Sequence, residues 1–169
     1  APMADYWNRI AKAWEDSIVT EHEYFVAPAI YTPELMAQLK KDLEAAEAII
    51  RPLTLVRRVL TRNEQQYIAR MQFTRLGFTV LDSYMTMVRA AAGDCDYAAA
   101  VKAGQAGLAA REALTKMNGI FTTTKLEGGY AWWPGEVQQY QELLPFINGE
   151  KGTLVAKLPL EWAFRRDPY

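Results

Sequence analysis

The stretch TRNEQQYIARMQFTRLGFTVLDSYMTMVRAAAGD, residues 61–94, decides the fold class. It opens on Thr61-Arg62-Asn63-Glu64, the pattern of a capping box, in which a threonine hydroxyl and a glutamate carboxylate each satisfy a backbone N–H of the other. Apolar residues then recur at helical spacing, placing Tyr67, Met71, Phe78, Leu81, Met85 and Val88 on one broad face. Ile68, Phe73, Leu76, Val80, Tyr84 and Met87 carry apolar character well beyond that stripe. A helix apolar around most of its circumference belongs in the middle of a bundle. One long helix, stopped near Ala92 by Gly93-Asp94, is therefore the expected core.

Upstream, Thr32-Pro33-Glu34 reads as a second helix start: Thr32 caps, Pro33 has the φ of the first helical position, and Glu34 complements the dipole. Leu35, Leu39, Leu43, Ala46 and Ile50 form its buried stripe, and Pro52 should end or bend it. A first helix is expected over about Ala4–Ile18, with Trp7, Ile10, Ala11, Trp14 and Ile18 on one apolar stripe. Val19 to Tyr31 reads as a loop.

Downstream, Asp94 or Asp96 should cap a helix running to about Asn118-Gly119. Its many small residues, among them Gly104 and Gly107, suit close approach by a neighbouring helix, because a mid-helix glycine costs roughly 1 kcal/mol against alanine. Pro134-Gly135-Glu136 opens a last, shorter helix to about Phe146, and Thr153 to Lys157 reads as extended. The expectation is an all-α fold: one domain over residues 1–169, a bundle of four long helices and a short fifth, with an irregular C-terminal segment.

Composition restricts the chemistry. Nineteen basic residues against twenty acidic ones give a net charge of −1 with no clustered basic face, which argues against nucleic acid as a partner. No apolar run approaches the ~20 residues of a membrane span. Cys95 is the only cysteine and His22 the only histidine, so neither a thiolate cluster nor a histidine-rich metal site is available, and no cofactor is expected. Cys95, between two aspartates, reads as a small residue at a helix start. No P-loop, GxGxxG or nucleophile signature occurs.

Two features remain as candidate ligand contacts. Tyr130, Trp132 and Trp133 form an aromatic cluster beside Gly128-Gly129, able either to stack on sugar rings or to anchor a loop. His22 lies between Glu21 and Glu23, either in an acid/base or substrate-contact loop or in a polar surface connection. No catalytic residue can be assigned.

The stretch Met3 to Trp14, then Ile30-Tyr31-Thr32-Pro33-Glu34-Leu35 and Leu43-Glu44-Ala45-Ala46, and the closing Gly152 to Pro159 and Trp162 to Pro168, carry a resemblance. They resemble the helical region that follows the catalytic barrel in large glycoside-hydrolase-like proteins of domain of unknown function 4838, distantly similar to α-glucuronidases. The resemblance implies a non-catalytic helical accessory domain packed on a parent protein's catalytic barrel, carbohydrate as a ligand, and an extracellular or periplasmic location. Both chain ends are accordingly expected to be cut from a longer protein. The other reading is an independent helical interaction or oligomerisation module that uses the Ala/Gly face around Gly104.

Overall fold

A computed structural model describes residues 1–18, 23–117 and 132–151. Among these residues the fold is all-α, with six helices: α1 (Pro2–Glu15), α2 (Glu23–Ile30), α3 (Pro33–Leu55), α4 (Arg62–Ala92), α5 (Tyr97–Met117) and α6 (Trp132–Ile147). The expected extended segment at Thr153 to Lys157 and the irregular C-terminal stretch lie outside the described residues.

The helix starts form as their side chains dictate. The Thr32 hydroxyl accepts from the Leu35 N–H at 3.2 Å. Thr61 and Glu64 complete the capping box, the Glu64 carboxylate accepting the Thr61 N–H at 2.8 Å. Asp96, rather than Asp94, caps α5 by accepting from the Ala99 N–H at 2.9 Å. Cys95, just before it, is exposed and has φ 54°, a left-handed conformation uncommon for a residue with a Cβ.

Packing follows chain order. Arg9 reaches Asp42, and Trp14 reaches Tyr31, so α1 runs antiparallel to α3. Arg75 pairs with Glu47, and the Arg89 guanidinium donates to the Tyr31 carbonyl, so α3 and α4 are antiparallel too. The same sense continues from α4 through α5 to α6.

Helix α4 belongs to two cores. On one side Met71, Phe78 and Met85, spaced by seven, join Tyr6, Met36, Leu39 and Leu43. On the other, Met87, Ala90 and Ala91 join Ala100, Val101, Val137 and Tyr140. This double duty explains why α4 is apolar around so much of its circumference. Each fully buried leucine, such as Leu39 or Leu43, contributes about 1.5–3 kcal/mol by leaving water.

Three expectations are corrected and one is narrowed. The Val19–Tyr31 stretch is not all loop, since α2 forms within it. Of the two outcomes expected at Pro52, an end to the helix is excluded, since α3 continues to Leu55. Helix α6 begins at Trp132, two residues before Pro134; a proline within the first turn removes an N–H that has no intrahelical partner anyway.

The last correction concerns α1, which ends at Glu15 and is rotated from the expected stripe. Tyr6 is its buried residue, flanked by the partly buried Met3 and Ile10. Trp7 is 54% exposed, Trp14 42% and Ile18 95%. Two tethers set this rotation. Arg9 must face Asp42, and the Trp14 indole N–H is satisfied at the edge, by the Tyr31 hydroxyl at 3.0 Å, rather than in the core.

Candidate functional site

Two of the four candidate contact residues, His22 and Tyr130, lie outside the described residues. Trp132 and Trp133 are placed only by backbone, as the opening residues of α6. The next turns of that helix are core: Val137 and Tyr140 are buried against α4 and α5. The structure therefore does not bring these four residues together as a described site.

The described part does contain two open grooves, both on the α1–α3–α4 side. The first, about 440 Å3, lies between α3 and α4, with Ile50, Ile68 and Met71 as its apolar part and Glu44, Glu47 and Arg75 among its polar residues. Two of its four charged residues, Glu47 and Arg75, are engaged with each other. Arg75 holds Glu47 in a two-pronged ion pair while its guanidinium lies 5.9 Å from the Phe78 ring centre. That hydrogen-bonded pairing raises the arginine's pKa, although partial burial opposes the shift.

Three carboxyl groups among the described residues, Glu34, Glu64 and Glu112, are held below the usual carboxylate range. Glu34 is lowered by its own backbone N–H and by Thr32, Glu64 to about 2 by Arg58 and Thr61, and Glu112 by Lys116. None of the three lines either groove. Among the described residues no group of three or more His, Cys, Asp or Glu could hold a metal ion.

The second groove, about 630 Å3, is of another kind. Met3 and Trp7 of α1, Tyr67, Met71 and Phe73 of α4, and Met117 at the end of α5 make its lining apolar and aromatic. Arg70 is its one charged residue. Trp7 stands edge-on to the buried Tyr6, ring centres 5.1 Å apart, so its indole is propped outward. Tyr67, expected in the core, is 52% exposed on the same side.

Helical periodicity alone places Trp7 and Tyr67 in the core and so misses this surface. The available signal is that α1 carries two overlapping apolar stripes, Met3-Tyr6-Ile10-Ala13 and Trp7-Ala11-Trp14, of which a single neighbour can cover one.

The site and fold define an antiparallel α-helical bundle with an apolar groove and an exposed aromatic face on its first helix. No protein-family model, curated protein or solved structure matches the chain. No described helix is long and apolar enough to cross a membrane.

Proposed function

We propose that this chain is a non-catalytic helical accessory domain that packs against a partner domain, within a carbohydrate-active, glycoside-hydrolase-like parent protein. The observation that carries the reading is the second apolar stripe of α1. A helix with apolar residues on two adjoining faces suits a position between two layers, and the described residues supply only one of them. The carbohydrate context, the catalytic barrel as the partner and an extracellular or periplasmic location rest on the resemblance carried by the two ends of the sequence. In this reading Tyr130, Trp132, Trp133 and His22 are the residues offered to a sugar at the rim of the partner's cleft.

The test is to assay the chain on aryl glycosides and aryl uronides, and to titrate it with oligosaccharides while following tryptophan fluorescence. No hydrolysis is expected, and robust turnover by the chain alone contradicts the accessory reading.

The alternative, an independent interaction or oligomerisation module, is favoured by the same exposed stripe but not by the Ala/Gly face of α5. Gly104 and Gly107 are buried, and Gly104 packs directly against Met87 and Val137. In this alternative, self-association uses the exposed Trp7, Trp14 and Ile18 instead. A stable dimer that Trp14→Ser dissolves supports the alternative, and a monomer at high concentration removes it.

A further inference from the structure

We propose that the apex of the α3–α4 hairpin, residues 51–62, docks on the surface of an anionic lipid bilayer, its aliphatic side chains entering the headgroup boundary and its arginines meeting lipid phosphates. The proposal is independent of the accessory-domain reading, which concerns the exposed face of α1.

Helix α3 runs to Leu55 and α4 starts at Arg62, antiparallel to it, so the residues between them form one end of the hairpin. Residues 48–63 hold four arginines and no acidic residue, in a chain whose net charge is −1. In sequence Arg57-Arg58 is only a pair. The hairpin adds Arg51, one turn before the end of α3, and Arg62, the first residue of α4. All four are exposed. Arg58 donates to the Glu64 carboxylate at 2.8 Å and to the Val59 carbonyl at 3.2 Å, which ties the turn to the capping box. Four arginines less Glu64 leave residues 48–64 with a net charge of +3. Among these charges stand Leu55, 72% exposed, Val56, 39%, and Val59, 89%.

Charge complementarity asks for an anionic occupant, and the apolar part decides which. A protein interface draws its energy from aromatic and arginine anchors seated in pockets, with leucine and valine under-represented. Residues 49–66 contain no aromatic residue, and none of residues 55–62 lines either open groove. Duplex nucleic acid offers phosphates but no apolar phase for Leu55 and Val59. A bilayer offers both and needs no matching shape. Aliphatic side chains enter the acyl boundary, guanidinium groups reach the phosphates, and the wet headgroup layer hydrates the backbone of the turn.

The probes are vesicles of phosphatidylcholine alone and of phosphatidylcholine mixed equally with phosphatidylglycerol, and binding of the whole chain is read by co-sedimentation. Binding should require phosphatidylglycerol and weaken as salt is raised. Arg57→Gln should weaken it about fivefold, the effect of one arginine near an anionic surface. Leu55→Ser combined with Val59→Ser should weaken it roughly tenfold or more, with the unfolding midpoint unchanged because both side chains are exposed. An environment-sensitive dye on Val59→Cys, in a chain that also carries Cys95→Ser, should enter an apolar setting on binding. The same dye on Cys95, exposed beyond the opposite end of α4, should not. Polyglutamate, which offers charge without an apolar phase, should bind more weakly and be indifferent to the double serine change.

No co-sedimentation with the phosphatidylglycerol vesicles overturns the proposal, as does equal binding to both compositions. So does binding that is indifferent to Arg57→Gln or to the double serine change, or a dye at position 59 that is already shielded from water without vesicles. Polyglutamate bound through Arg57 in the absence of vesicle binding also overturns it, and marks an acidic protein as the occupant.

Discussion

The two sides of α4 are built differently. Toward α5 and α6 the contact is made by small residues at close range: Ala90, Ala91, Ala100 and Gly104, with Val137 and Tyr140 filling the remainder. A Cβ on Gly104 would overlap the Val137 Cγ2 and lie 2.9 Å from the Met87 sulfur. Toward α1 and α3 the residues are large, the helices stand off, and two grooves remain open beside exposed Trp7 and Tyr67. Gly77, on the same helix, would find nothing within 4 Å of an added Cβ. The closed side holds the fold together, and the open side keeps apolar surface that nothing in the described chain covers.

Substitutions can break this contrast. The largest effect should come from Leu39→Ala in the α1–α3–α4 core, where a fully buried side chain is lost: about 3 kcal/mol of destabilisation in urea unfolding. If that core were loose enough to collapse around the gap, the loss would fall below about 1 kcal/mol. Next is Gly104→Leu, expected to destabilise by about 2 kcal/mol, because the β-branched Val137 is stiff and α6 must move. No loss would mean that α5 and α6 are not in close contact.

Gly77→Ala sharpens the comparison by reversing the sign. With open space and an ordinary helical backbone, it should stabilise by about 0.5–1 kcal/mol. The opposite outcomes of adding side-chain atoms at positions 77 and 104 contrast a position with open space and one in close helix contact.

Smallest at neutral pH is Tyr6→Phe, which should change little there. The Tyr6 hydroxyl is pushed up to about 12, first by burial and then by Tyr31, with Arg75 opposing. The folded state thus disfavours the phenolate relative to the unfolded chain, whose tyrosine titrates near 10. The stabilisation is complete below pH 10 and is lost as pH rises toward 12. Unfolding midpoints measured from pH 8 to 11.5 should fall less steeply in Tyr6→Phe than in the unaltered chain. Parallel curves would place the Tyr6 hydroxyl in water.

Much of the fold is legible in sequence. The capping box at Thr61, the start at Thr32-Pro33 and the stripe of Leu39, Leu43 and Ala46 are short-range signals, and each forms as its local chemistry requires. The rotation of α1 is not legible. Its two stripes are equally regular, and the choice between them is made by the partners Asp42 and Tyr31, 33 and 17 residues away. The groove is hidden for the same reason, since it is assembled from three helices and contains no motif. Tyr130 and His22 lie outside the described residues, so the aromatic and histidine features stay where sequence puts them.

The central claim is that the exposed face of α1 and its groove are covered by a partner domain. Hydroxyl-radical footprinting tests it most directly, comparing oxidation of Trp7, Trp14 and Tyr67 in this chain alone and in the longer protein that carries the proposed barrel. These three side chains, readily oxidised in the isolated chain, should become several-fold protected in the longer protein, while buried Phe78 and Met85 stay unchanged. Equal oxidation of Trp7, Trp14 and Tyr67 in both would contradict the claim.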